Sequence, residues 1–308
     1  MSKPLDRITL LETFVRIADA GSISAAARDL GLSQPSASRQ LAELESRLSA
    51  QLMRRSTHSL ALTDAGVELL ADARQLIDGW EALEEKHLAD DEQVSGGLKV
   101  VAPVALGQLH LARIAWQFQQ DHPEVTVTWQ LEDRSIRFAE VGCDCWIKVG
   151  PVPDDTLIVR KLGKVERLVV ASPSLLAERG KPRNPKSVEQ LPLAALQPFE
   201  GGKIPLEHRD KRRATIRPSI RMQTNNIFAL KEAALMGLGA AVMPRWFVEA
   251  ELQSGALVDL LPAWRAPSLD VNVAYLPARH QTLRLRTFLA TLYERVPSIK
   301  GIQRSKVT

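Results

Sequence analysis

The chain has 308 residues, 45% of them hydrophobic and 25% charged, with a formal net charge of +4. That length and apolar content support substantial cores in about two domains and exclude a disordered tail. Two cysteines, Cys143 and Cys145, are too few for a disulfide scaffold or a metal cage, and no apolar run approaches the roughly 20 residues that cross a bilayer.

Charge is segregated along the chain. Residues 22–58 carry five Arg against three acids, residues 67–95 carry nine acids against Arg74 and Lys86, and residues 203–221 carry seven Lys/Arg against Glu207 and Asp210. The opening Met1-Ser2-Lys3-Pro4-Leu5-Asp6 has no apolar stretch of signal-peptide length, so a cytoplasmic location is expected.

Leu11, Phe14, Val15 and Ala18 form one helical stripe, with Thr9 and Glu12 spaced as a capping box. A short alanine-rich helix follows from Ser22 and stops at Gly31, which can take the positive φ that ends a helix. Ser33 then stands where it can cap a second helix, Pro35 sits in the first turn, and Ala37, Leu41, Leu44 and Leu48 recur on the expected inner face. The other face presents Gln34, Ser36, Ser38 and Arg39 near its N-terminus, the end that enters the major groove in a helix-turn-helix. These residues define a DNA reader.

Leu52 to Leu62 alternates about a polar centre and predicts a two-stranded wing. Thr63 caps a long helix in which Leu69, Ala73, Leu76, Trp80, Leu83 and His87 are spaced by 4, 3, 4, 3 and 4, a seam that calls for a partner helix. Two paired readers would address a pseudo-palindromic site. Ser95-Gly96-Gly97 is expected to break the helix as a hinge.

Beyond the hinge strands alternate with helices, which predicts α/β architecture. Strands are expected at 98–102, 125–131, 143–149 and 157–162, with a helix around Leu111 to Phe118. The series restarts at Arg167: a strand through Ala171, a helix opened by Ser172-Pro173, a strand over 215–222 and a helix over 226–236. Further short strands are expected at 238–244, 257–261 and 270–275, with a last helix at 283–296 returning to the first lobe. The chain would cross between lobes near 164–167 and 266–269. Both cysteines read as small strand residues rather than a redox or metal sensor. The arginine-rich stretch 209–221 reads as a solvated edge that discourages strand pairing rather than a second DNA patch.

Several of these residues together carry a family resemblance. Ser22, Ala25-Ala26, Leu30, Ser33-Gln34-Pro35, Ser38, Leu44-Glu45, Leu52, Arg54, Leu62-Thr63 and Gly66 resemble the winged helix-turn-helix of LysR-type transcriptional regulators. Asp144 to Gly150, Val170-Ala171-Ser172-Pro173, Gly237-Leu238-Gly239 and Gly255-Ala256-Leu257-Val258 resemble their effector-binding domain, with Lys148 in place of an arginine. Ser49 stands where a glycine is usual and Met53 where a phenylalanine is usual.

The resemblance implies a chain that is α/β overall. An N-terminal all-α winged helix-turn-helix (1–63) would lead through a long dimerisation helix and hinge (64–95) into a two-lobed effector-binding domain (96–308) of the type 2 periplasmic-binding-protein kind. Lobe I would comprise 96–164 and 268–300, and lobe II 165–267. The resemblance also implies a homodimer or homotetramer on double-stranded promoter DNA, governed by a small-molecule effector, with no membrane partner and no cofactor.

In such a regulator Gln34, Pro35, Ser38 and Arg39 would touch base edges, Ser33 and Ser36 phosphates, and Arg54, Arg55 and His58 the backbone or minor groove. Effector contacts are expected from Pro103-Val104-Ala105, Lys148, Ser172, Asn225 and Asn226; helix capping is the plainer role for the asparagines. Two helix N-termini and a nearby lysine favour an anion such as a small carboxylate. An enzyme with an accessory DNA-binding domain would need a convergent catalytic set, and no G-x-S-x-G, H-E-x-x-H or Walker loop is present. A sequence-indifferent architectural protein would bind random and operator DNA alike.

Overall fold

The computed structural model describes residues 6–55, 60–87, 93–197, 202–277 and 281–304. By contacts the chain forms two compact units: residues 1–101, 117–146 and 275–289, and residues 102–116, 147–274 and 290–308.

The first unit opens with helices α1 (Arg7–Ala20), α2 (Ile23–Asp29) and α3 (Gln34–Leu48), then the antiparallel strands β1 (Met53–Arg55) and β2 (Leu60–Leu62), then α4 (Asp64–His87). Leu10, Phe14, Ile17, Ala26, Ala37, Leu41, Leu44, Leu52, Leu70 and Ala73 share one buried cluster. Alanines at positions 26, 27 and 37 carry only a methyl group, which lets the helices approach closely. Within this cluster Thr13 Oγ1 donates to Gln40 Oε1, so the buried side-chain oxygen of Gln40 on α3 has a partner.

Three details of the first helices depart from the sequence expectation. α1 begins at Arg7 behind Asp6, which makes no side-chain cap, so Thr9 and Glu12 lie inside the helix and form no capping box. Leu48 is exposed because α3 runs one turn beyond the cluster before Ser49, at φ 50, turns the chain. The seam of α4 is divided: Ala73 is fully buried and Leu69 packs against the same core, while Leu76, Trp80 and Leu83 are 56%, 45% and 38% exposed. An α-helix turns about 20° out of a seven-residue repeat per heptad, so a helix laid on its own domain offers only part of the seam outward.

The chain resumes as β3 (Gly96–Ala102), α5 (Val104–Leu106), a π-helical turn (Gly107–Leu111), α6 (Ala112–Asp121), β4 (Val125–Leu131), α7 (Phe138–Val141) and β5 (Cys145–Val149). Gly96 begins a strand, its N–H donating to Glu124 O, so the glycine pair belongs to the sheet, and α4 is described as far as His87. β3 lies between β4 and β5, parallel to β5 with Val100 opposite Cys145. Phe118 of α6 meets Phe288 edge to face at 5.1 Å.

The second unit holds β6 (Ile158–Ala171), α8 (Pro173–Arg179), α9 (Pro185–Val188), β7 (Pro192–Leu196), β8 (Ile204–His208), β9 (Arg213–Ile216), β10 (Ser219–Thr224), α10 (Ile227–Leu235), β11 (Ala241–Pro244), α11 (Arg245–Ser254), β12 (Val258–Asp259) and β13 (Trp264–Tyr275, its last residue in the first unit). α12 (Leu283–Arg295) and β14 (Ile302–Gln303) close the chain. The residues expected as two strands, 157–162 and 167–171, are one strand of 14 residues. Its polar middle is satisfied by the neighbouring β13: Lys161 pairs with Asp270 at 2.7 Å, Glu166 accepts from Arg265 at 2.7 Å, and Arg167 donates to Pro267 O at 2.7 Å.

β11, β12 and β14 also lie on β6, and β7 pairs with β10 in parallel. The stretch expected as one strand over 215–222 is two, β9 and β10, which pair with different partners. Val169, Leu193, Leu206, Ile216 and Leu260 centre the core of this unit. The basic hairpin β8–β9 turns at Lys211, φ 70; Asp210 Oδ2 accepts from Arg212 Nε and Asp210 N donates to His208 Nδ1, and among the described residues β9 pairs with β8 alone.

Candidate DNA-reading and effector sites

Ser33 caps α3 as its spacing predicts: its Oγ accepts from Ser36 N at 3.3 Å and lies 2.8 Å from Ser36 Oγ. Arg39 then donates Nη2 to Ser36 Oγ at 3.3 Å. Ser33, Gln34, Pro35 and Arg39 are exposed, Ser36 and Ser38 half-buried, and Ala37 fully buried behind them. The chain thus leaves uncovered a short polar surface with one guanidinium, backed by a rigid apolar stripe. The N-terminal N–H groups of α3 add partial positive charge suited to phosphate.

The wing is fixed to this helix. Glu45 Oε1 accepts from Leu52 N at 2.7 Å and Met53 N at 3.2 Å, and Thr63 Oγ1 donates to Gln51 O at 2.6 Å while accepting from Gly66 N. Gly66 has no room for a side chain, since a Cβ there would run into Leu52 O. These contacts aim β1, with Arg54 exposed and Arg55 at its end. His58 lies outside the described residues. Glu45 is a positioning residue whose role the sequence alone did not reveal; the signal was an acid at the inner edge of α3, seven residues before a backbone without a helical partner.

The candidate effector residues fall in two groups. Pro103 follows β3 and Lys148 lies near the end of β5, its parallel neighbour, so both sit at strand carboxyl ends. Pro103, buried, precedes α5, and its carbonyl accepts from Gly107 N at 2.7 Å; Val104 and Ala105 form the first helical turn before the π-helical turn. Such π turns frequently mark ligand sites.

In the second group, Asn225 is exposed after β10 and Asn226 caps α10, accepting from Phe228 N at 3.0 Å and Ala229 N at 3.2 Å. Asn226 therefore fills the plainer capping role. β7, parallel to β10, ends beside it, and Gln197 reaches Gln223 at 3.1 Å. Thr224, which accepts from Asn226 N at 3.1 Å, and Gln197 are polar neighbours of Asn225 that the sequence reading did not name. Ser172 is 2% exposed and spends its hydroxyl on capping α8 and on Ser174 at 2.9 Å. Gly237, at φ 75, rests against these two hydroxyls.

The cysteines lie in strand β5 and just before it, both buried; burial pushes the Cys143 thiol up to about 12 and Cys145 well above its ordinary value. Among the described residues there is no group of three or more His, Cys, Asp or Glu that could hold a metal, and no helix is long and apolar enough to cross a membrane.

A winged helix-turn-helix joined by a long helix to an α/β ligand-binding region defines a DNA-binding transcriptional regulator. Residues 8–67 match the bacterial regulatory helix-turn-helix of the lysR family and residues 91–297 match the LysR substrate binding domain, and the chain belongs to the LysR family of transcriptional regulators. It is 30% identical over 302 residues to the HTH-type transcriptional regulator PtxR of Pseudomonas aeruginosa, covering 96% of each chain. Among solved structures it is similar to CrgA of Neisseria meningitidis (25% identity, TM-score 0.58, 95% of this chain and 99% of that one). It shares its fold with full-length OxyR of Pseudomonas aeruginosa (16% identity, TM-score 0.71, 99% and 100% covered).

Proposed function

We propose that this regulator reads a two-fold operator as a homodimer or a pair of dimers, and that a small anionic effector sets the placement of its readers. Residues 1–63 form the DNA-binding domain, 64–95 the linker and dimerisation helix, and 96–308 the effector-binding domain, with lobe I at 96–164 and 268–300 and lobe II at 165–267. Gln34, Pro35, Ser38 and Arg39 address base edges; Ser33, Ser36, Arg54, Arg55 and His58 address phosphates or the minor groove. The effector lies against Pro103, Val104, Ala105, Lys148, Asn225 and Asn226, with Ser172 shaping one wall. The protein acts in the cytoplasm and performs no catalysis.

The observation that carries this reading is the exposed polar end of α3, held rigid by Ala37, Leu41 and Leu44 and flanked by an anchored wing. The uncovered stripe Leu76, Trp80 and Leu83 supports pairing. The test is selection of duplexes from random DNA by the full chain, then footprinting at physiological salt. A two-fold consensus bound at least about 10³ times tighter than random DNA supports the reading; equal affinity for both refutes it.

A further inference from the structure

Between the two segments that match family models lie residues 68–90, and in this stretch α4 carries a set of charges that neither match assigns. Arg74 donates Nη1 to the carbonyls of Ala139, at 3.0 Å, and Glu140, at 3.3 Å, and Nη2 to Asp19 of α1. It thereby caps the last turn of α7, whose final carbonyls have no helical donors. Lys99 of β3 completes that cap with a 2.7 Å bond to Val141 O and lies 4.0 Å from Asp19. One turn further along α4, Asp78 and Glu81 meet Arg284 in the first turn of α12, at 3.5 Å and 2.6 Å. The Arg284 side chain is only 7% exposed.

Both guanidiniums rest on left-handed glycines. A Cβ on Gly142, at φ 57, would fall inside the Arg74 guanidinium, and one on Gly96, at φ 95, would lie 3.2 Å from Arg284 Nη1. A buried arginine held by carboxylates is a poor source of net stability, because desolvation offsets most of the attraction; such groups are better at fixing one arrangement among alternatives. Here each arginine ties α4 to an element of the effector-binding segment, one to α7 and one to α12.

We propose that Arg74 and Arg284 are positioning residues that seat α4 on the effector-binding segment and so fix the spacing of the two DNA-reading helices. The proposal rests on the paired-reader reading above. Displacement of β3 or α7 pulls on Lys99 and Arg74, and the charge pairs offer α4 a discrete seated state, which is how a remote site biases a two-state element.

The test uses the full chain with Arg284→Gln, Glu81→Gln, the double variant and Arg284→Lys. Hydrogen exchange of α4 amides is measured without DNA. Affinity is measured for a single selected half-site, and for duplexes whose two half-sites are re-spaced in single base-pair steps. Arg284→Gln is expected to raise exchange over residues 76–84 by about tenfold and to broaden the spacing preference, with half-site affinity unchanged. The double variant should be no worse than the worse single one, and Arg284→Lys should recover most of the wild-type behaviour. Arg74→Gln is expected to act likewise and serves if Arg284→Gln does not fold. Unchanged exchange and spacing in both arginine variants, with a clear wild-type preference, overturns the proposal alone. A wild-type chain indifferent to spacing overturns the paired-reader reading and the proposal with it, whatever the exchange shows.

Discussion

Replacing Trp80 by Glu is expected to break the proposed dimer while leaving the protomer folded. Trp80 is 45% exposed, and a tryptophan presents up to roughly 250 Å², so about 110 Å² of it faces water in the protomer. At ~25 cal/mol/Å², covering all of that area contributes about 2.8 kcal/mol per protomer, and about 5.6 kcal/mol across a two-fold pair. If a partner helix covers half of it, the loss is still about 2.8 kcal/mol, or about a hundredfold in dimer Kd. Burying a glutamate in the same seam adds to the cost. Sedimentation equilibrium over a range of concentrations reads this directly, with Trp80→Phe as the variant that keeps most of the area. The protomer core lies on the other side of α4, at Leu70 and Ala73, so the thermal unfolding of an isolated protomer should barely move. A Trp80→Glu chain that dimerises within about threefold of wild type would refute the reasoning.

Arg39→Ala should cost about 1–3 kcal/mol at one base position and relax specificity there, whereas Arg54→Ala should weaken all duplexes alike and lower the salt slope by about 0.9; binding isotherms across salt concentrations separate the two. Asp78 is pushed up to about 7, first by burial and then by Asp144, against the pull of Arg284; Glu81 and Arg74 also face it, raising and lowering it respectively. The folded chain therefore holds this proton where the unfolded chain has released it. Stability from this group is complete below the ordinary carboxylate range and is lost as pH rises through about 7. Because its side chain is half exposed, solvent damps the effect, and Asp78→Asn should narrow, not abolish, the drop in Tm between pH 5 and pH 8. Cys143 and Cys145 should resist alkylation and peroxide in the folded chain at pH 7.5, measured by mass spectrometry, and react once it is unfolded in denaturant.

Most of the DNA-reading end was legible because its signals are local. Gly31, Ser33 and Pro35 mark where helices stop and start within a few residues, and the wing needs only alternation about a turn. What was not legible depends on partners far away in sequence. Lys164, Glu166 and Arg167 look like a break between two strands, yet β6 continues through them because Arg265 and Pro267, about 100 residues later, satisfy Glu166 and Arg167. Arg284 resembles any surface charge of a last helix until it is placed beside Glu81. Ala73 fits a heptad seam by spacing, and only packing shows that it belongs to the protomer core. In the effector region, strand ends pointed to Pro103 and Asn225, while the demands of capping had already engaged Asn226 and Ser172.

The divided linker helix also bears on how such chains are kept apart in one cell. Leu70, Ala73 and Ile77 serve the protomer's own interior and are constrained by it, whereas Leu76, Trp80 and Leu83 answer only to whatever lies across from them. Those three positions can change without disturbing the protomer core, whereas Asp78 and Glu81 between them are held by Arg284. The apolar three are where a duplicated copy would diverge to stop exchanging subunits with its parent, through a mismatched volume or an opposed charge at a single turn.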